Sequence, residues 1–219
     1  MHTQSEENYL KAIFSLQPDK NTVVSTNAIA TKMKTKASSV TDMIKKLADK
    51  ELVVYTKYQG AKLTKKGSSI ALNIIRKHRI WETFLVNKLD FSWNEVHDVA
   101  EQLEHIKSES LIEKLDNYLG NPTKDPHGDL IPDKNGVFHQ VERKLLSEIE
   151  ENTPVTFVGL TDSSVAFLNY LDNKKLALGD ELVITNIEKF DKSMVVRTKE
   201  NEFLITKEVA KKIYVNNTY

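Results

Sequence analysis

Residues 38–67 read SSVTDMIKKLADKELVVYTKYQGAKLTKKG, and this stretch decides the fold class. In its first part Val40, Ile44 and Leu47 follow Ala37 at the spacing of one helical face, so a helix is expected over 38–50. In its second part, LVVYTKYQGAKLT places β-branched and aromatic residues on both sides of Gly60, the pattern of a β-hairpin. Upstream, Ile29, Ala30 and Met33 share one helical face behind Ser25 as N-cap, and residues 34–37 make the tight connection between two short helices. Further upstream, SEENYLKAIFSLQ sets Tyr9, Leu10, Ile13, Phe14 and Leu16 at helical spacing behind Ser5 as N-cap. Three helices followed by a hairpin make a winged helix-turn-helix.

Beyond the hairpin, a long helical pattern from 66 to 89 runs through Ile70, Ile74, Ile75, Ile80, Trp81, Phe84 and Leu85. Two more helices are expected near 92–106 and 108–119, before Gly120, Pro122, Pro126 and Pro132 break the pattern. Residues 120–140 read as a loop or linker, and 141–150 as a helical stretch. The runs TPVTFVGL, DELVITNIEKF, SMVVRT and EFLIT then alternate as short strands, the pattern of a small SH3-like β-barrel. The expected class is mainly α with small β, in three domains: a winged helix-turn-helix over 1–66, a helical domain over 67–140 and a β domain over 141–219.

Charge is unevenly spread along this neutral chain: residues 1–66 carry 12 lysines against 6 acidic residues, whereas 67–140 carry 8 basic and 12 acidic residues. A basic module at one end suits a nucleic-acid surface. The chain has no cysteine. Disulfides, thiolate metal sites and cysteine nucleophiles are thereby excluded, and any metal must be held by His, carboxylate, amide or backbone oxygen. No run approaches the roughly 18 apolar residues of a membrane span, and the acidic N-terminus does not read as a signal peptide, so a cytoplasmic location is expected.

The strongest chemical signal is His97, Glu101, Glu104 and His105, which an ideal helix would project over an arc of about 100°. One element would thus present two imidazoles and two carboxylates. His78 and Glu82 are spaced i, i+4, a geometry suited to chelation across one helical turn. A solvated charged face is the competing reading of each helix, and the co-occurrence of the two groups weighs against it.

In fixed order, SEENYLKAIF, SSVTDMIKKL, KLTKKG, RKHRIWETFL, VHDVAEQLEH and HGDLIP resemble the diphtheria toxin repressor family, especially its manganese-responsive members. The resemblance covers residues 5–135, and the C-terminal strands fit the SH3-like, FeoA-like domain of longer members. It implies a homodimeric repressor of metal-homeostasis genes that senses Mn²⁺ or Fe²⁺ and binds double-stranded operator DNA, with the helical domain serving dimerisation and no small-molecule substrate or membrane partner. It implies a primary site of Asn8, Glu101, Glu104 and His105, and an ancillary site of His78, Glu82 and His97. Asn8 stands where relatives place Asp or Met, and Glu101 where the iron-responsive branch has Cys. Oxygen in place of sulfur suits a harder ion, so Mn²⁺ is expected ahead of Fe²⁺. Relatives complete the ancillary site with a Glu and a Gln from the β domain; here the segment LTDSSVAFLNYL has neither, which leaves Asp162, Ser163 or Ser164 as substitutes.

For DNA contact, Ser38, Ser39 and Thr41 at the start of the recognition helix can meet phosphates or base edges, Lys45 and Lys46 the backbone, and Lys57, Lys62 and Lys65 fit the wing. Residues 1–66 hold no arginine, so phosphate contact and DNA shape are expected to carry much of the recognition. Two other readings compete: a winged-helix regulator that uses no metal, and a metalloenzyme with an open coordination position. Against the enzyme stand the lack of HExxH, of a phosphate-binding glycine loop and of a Ser/His/Asp constellation.

Overall fold

The computed structural model describes residues 2–19, 21–139 and 142–217. The chain forms two compact units: one holds the chain up to His78 with Glu101–Ile112 and Pro132–Phe138, the other Arg79–Ala100, Glu113–Ile131 and the chain from His139 onward.

In the first unit, α1 (Gln4–Leu16) starts earlier than the cap at Ser5 would place it. Thr3 is the cap: its hydroxyl accepts from the Glu6 amide while the Glu6 carboxylate accepts from the Thr3 amide, so two otherwise orphaned donors are satisfied together. Ser25 caps α2 (Thr26–Lys32) as expected, and α3 (Ala37–Asp49) follows after a turn in which Lys34 has φ +49°. Strands β1 (Val53–Thr56) and β2 (Gly60–Leu63) pair antiparallel, with Val53 opposite Leu63 and Thr56 opposite Gly60. Gly60 is required here: its φ is +127°, and a Cβ would stand 2.0 Å from the Val24 carbonyl oxygen, because Val24 bridges to Ala61. Leu10, Ile13, Ile29, Val40, Ile44, Leu47 and Leu52 are fully buried and form the core, each contributing roughly 1.5–3 kcal/mol by burial.

Beneath α1 lies a buried ion-pair group. The Glu6 carboxylate is fully buried and receives Lys50 Nζ at 2.7 Å and Lys46 Nζ at 3.1 Å, tying α1 to α3. Burial alone would raise its pKa, but the Lys50 bond, the Thr3 amide and Lys46 together lower it to about 2.

Three further helices, α4 (Lys65–Leu89), α5 (Val96–Leu103) and α6 (Glu109–Tyr118), each contribute residues to both units. The second unit is built on a six-stranded antiparallel sheet of β3 (Lys144–Leu145), β4 (Pro154–Leu160), β5 (Glu181–Ile187), β6 (Met194–Arg197), β7 (Glu202–Ile205) and β8 (Ile213–Asn217). Its spatial order is β3-β8-β4-β5-β6-β7, with bulges between Phe157 and Gly159 and between Ile184 and Asn186 that bend the sheet. The helices α7 (Val165–Asn173) and α8 (Lys207–Ala210) complete the unit. The mainly α class with a smaller SH3-like β domain holds. The helical reading of 141–150 does not: its described residues form β3 and a short 3₁₀ turn over Leu146–Glu148, with Leu146 and Ile149 buried against the sheet. Between the first two of the expected strand runs lies α7, which was not expected, with Phe167, Leu168 and Leu171 buried on one helical face.

The stretch read as a loop or linker over 120–140 carries no helix or strand among its described residues, and part of it packs on the sheet. Gly128, at φ +81°, lies so close to β4 that a Cβ would stand 2.3 Å from Gly159 Cα, and the Leu160 amide donates to the His127 carbonyl at 3.2 Å. This contact buries Asp125 and His127.

Candidate metal centre and DNA-binding surface

Helix α5 ends at Leu103, so Glu104 and His105 lie in the turn after it and do not continue the helical arc of His97 and Glu101. That turn delivers a buried carboxylate. Glu104 is 1% exposed and accepts from Lys11 Nζ at 2.7 and 2.6 Å, with His78 Nδ1 at 2.5 Å from Oε2. Burial would raise its pKa, yet the His78 bond and the Lys11 charge hold it below the ordinary value. Glu101 is exposed, with Oε1 3.5 Å from the same Lys11 Nζ, and His105 Nε2 is 3.8 Å from Glu104. The other imidazole nitrogen, His105 Nδ1, bonds Glu7 on α1 at 2.6 Å. Two of the expected primary ligands, Glu101 and Glu104, thus meet a cation, the Lys11 ammonium, while His105 lies beside Glu104, and Asn8 is half-buried on the same helix as Lys11. Two carboxylates on one positive charge, with an imidazole beside the buried one, are donor types that suit a divalent transition-metal ion. The sequence reading missed Lys11 and Glu7; their i, i+4 spacing on α1 was the available signal.

A second group lies on the other unit. Glu82 of α4 is 2% exposed, and its Oε1 is 3.2 Å from His97 Nδ1. His78, one helical turn earlier, bonds Glu104. Glu82 Oε2 is 3.8 Å from Nδ1 of His127, a residue present in the HGDLIP motif but not singled out as a ligand. Burial would lower the His127 pKa, but Glu82 and Asp125 outweigh it and raise it to about 9. Burial, Asp129 and Glu82 push Asp125 upward, with Arg79 partly opposing. Of the proposed substitutes from the β domain, Asp162 accepts from Lys212 Nζ at 2.5 Å and from the Ser164 amide at 2.9 Å. Ser164 is the N-cap of α7. Asp162 and Ser163 line a cavity of about 250 Å³ together with His127, Asp129 and Arg143.

On the opposite function, Ser38 and Ser39 are exposed on the first turn of α3, and Lys45 is exposed further along. Thr41 is half-buried and donates to the Ala37 carbonyl at 2.9 Å. Lys46 is engaged by Glu6, so its ammonium serves the α1–α3 contact. At the wing, Lys57 Nζ stands 4.9 Å from the centre of the Tyr58 ring, and Tyr58 is 93% exposed; Lys62 is half-buried on β2 and Lys65 exposed at the start of α4.

A winged helix-turn-helix joined to a His/carboxylate centre and a β domain defines a DNA-binding transcriptional regulator. Three family models match the chain in succession: the iron dependent repressor N-terminal DNA binding domain over residues 1–61, the iron dependent repressor metal binding and dimerisation domain over 64–133, and the FeoA domain over 144–217. The chain is 36% identical over 120 residues to the HTH-type transcriptional regulator MntR of Listeria welshimeri, covering 54% of this chain and 82% of that protein. It is similar along its length to a solved manganese-dependent transcriptional repressor in complex with manganese, with TM-score 0.84, 31% identity, and coverage of 97% of this chain and 100% of the other. It is also 43% identical over 86 residues, 39% of this chain, to a probable metal transport system membrane protein of Chlamydia trachomatis, of whose length it spans only 19%. The chain belongs to the iron-dependent repressor family. Among the described residues, no helix is long and apolar enough to cross a membrane.

Proposed function

We propose that this chain is a cytoplasmic, homodimeric transcriptional repressor, not an enzyme, that binds operator DNA when loaded with Mn²⁺ or Fe²⁺ and thereby controls metal-homeostasis genes. The observation that carries the reading is the buried Glu104 carboxylate holding a cation from α1 beside Glu101 and His105. Glu101, Glu104 and His105, with Asn8, would hold the ion; Mn²⁺ is preferred because oxygen donors predominate. His78, Glu82 and His97 form the ancillary set. The functional division follows 1–66 for DNA, 67–140 for metal and dimerisation, and 141–219 for the FeoA-like part.

The coupling is physical. Asn8 belongs to α1, which packs in the winged helix-turn-helix core, while the other primary ligands follow from α5 and its turn. An ion bound to both ligand sets favours the arrangement that brings them together. If that arrangement fits DNA, metal raises DNA affinity and DNA raises metal affinity by the same factor. Ser38, Ser39, Thr41, Lys45, Lys57 and Lys62 are the proposed DNA contacts, with Lys46 the least available of the lysines.

The test is DNA binding by the full chain, on operator fragments selected from random DNA in the presence of Mn²⁺, with and without the metal. Metal-stimulated binding is expected. Equal binding in the presence of a chelator would favour the metal-independent regulator.

A further inference from the structure

On α1 the helical period puts Glu7, Asn8 and Lys11 on one face, opposite the fully buried Leu10 and Ile13. Two of the three reach the turn after α5, and the whole group lies within the first unit. Lys11 Nζ donates to both oxygens of Glu104, at 2.7 and 2.6 Å, and stands 3.5 Å from Glu101 Oε1. Glu7 Oε2 is 2.6 Å from His105 Nδ1. An ammonium has three donors and no acceptor, so a carboxylate pair is a fitting seat for it. It occupies that seat between the oxygens read above as metal ligands, on a side chain only 20% exposed.

These contacts do without an ion what an ion would do: they tie α1 to the turn that carries Glu104 and His105. The opposite side of α1 is tied as well, because Glu6 holds Lys46 and Lys50 of α3. Fixing α1 therefore also fixes the recognition helix. As part of the chain, Lys11 is present at every ion concentration and acts as an intramolecular ligand of the site. It is a partial substitute. Its single charge offsets one of the two carboxylates, whereas a divalent ion offsets both and can bond His105 and Asn8 besides.

We infer that Lys11 is a positioning residue that stands in for the metal ion, holding α1 in place in the metal-free chain and so giving it a basal affinity for DNA. Metal then raises DNA affinity from that floor by replacing a monovalent tether with a divalent one. A group that stabilises the DNA-competent arrangement must add to DNA affinity whether it is an ion or a side chain. The inference rests on the reading of Glu101 and Glu104 as metal ligands in a DNA-binding repressor.

The experiment measures DNA binding by the full chain and by Lys11→Met and Lys11→Arg, each in excess chelator and in saturating Mn²⁺, on fragments selected from random DNA. In chelator, Lys11→Met is expected to bind about fivefold more weakly or worse, and Lys11→Arg to bind like the unsubstituted chain. In Mn²⁺ all three are expected to agree within about twofold, since the ion then supplies the tether. Metal-free binding by the unsubstituted chain no tighter than that of Lys11→Met, including none at all, would overturn the inference. So would an equal loss with and without Mn²⁺, which marks only a missing charge against DNA. Absence of Mn²⁺ stimulation in every protein would instead sink the metal-dependent reading, while a loss confined to Lys11→Met would leave the tether standing. Should Lys11→Met fail to fold, acetylation of Lys11 in the unsubstituted chain, read by mass spectrometry, decides: labelling is expected to be slow in chelator and about fivefold faster in Mn²⁺, and equal rates would overturn the inference.

Discussion

Lys11→Met should make this protein bind Mn²⁺ more tightly. In the structure the Lys11 ammonium makes two charge-assisted contacts to Glu104, at 2.6 and 2.7 Å, and lies 3.5 Å from Glu101. An ion entering among Glu101, Glu104 and His105 must displace that ammonium and pay for breaking its bonds. A hydrogen bond to a charged group contributes about 1.5–3 kcal/mol, and the Lys11 side chain is only 20% exposed, so solvent screens it little. Removing the competitor, while Met preserves much of the apolar stem, should lower the dissociation constant for Mn²⁺ by about 10- to 100-fold. Isothermal titration in a weakly coordinating buffer reads the change directly, and Lys11→Arg, which keeps the charge, should stay near the unsubstituted value. Unchanged or weaker Mn²⁺ binding by Lys11→Met would refute the reasoning, because Lys11 would then not stand where the ion goes.

Glu104→Gln should abolish metal-stimulated operator binding while far-UV circular dichroism stays unchanged, since His78 and Lys11 can still meet the amide oxygen; a gel-shift titration with Mn²⁺ checks both arms. Glu101→Cys should move activation of DNA binding from Mn²⁺ toward Fe²⁺ and softer ions, measured as the order of metals that trigger binding; an unaltered order would remove residue 101 from selectivity. Glu6→Gln should destabilise the α1–α3 contact at pH 7 by about 3 kcal/mol, the free energy corresponding to a fall from 4.5 to about 2. Because the folded pKa lies below the unfolded one, this contribution is complete above pH 4.5 and is lost as pH falls toward 2. Hydrogen exchange of α1 and α3 amides should therefore differ between the two proteins at pH 7 and converge in acid. Sedimentation at micromolar protein with Mn²⁺ and DNA should give a dimer, and a monomer there would sink the homodimer reading.

Local pattern determined much of this protein. The helical period of Val40, Ile44 and Leu47 and the strand pattern on both sides of Gly60 were legible because helix and hairpin formation depend on near neighbours, and the order of motifs from SEENYLKAIF to HGDLIP carried the family. The His and carboxylate side chains of the proposed metal sites, Glu101, Glu104 and His105 and then His78, Glu82 and His97, stand out in the sequence by type and spacing alone. What tertiary structure decided is which groups face one another. Lys11 and Glu104 are 93 residues apart, and no periodicity tells that an α1 lysine fills the centre of the carboxylate group. The end of α5 at Leu103 set Glu104 and His105 in a turn, where an unbroken helical projection had kept them on one arc with His97. Asp125 and His127 sat in a proline- and glycine-marked stretch that reads as solvent-exposed loop; packing of Gly128 on β4 buried them beside Glu82. Helix and strand periods report only whether a face is apolar, whereas the pairing of buried charges is settled by the long-range packing that removes them from water.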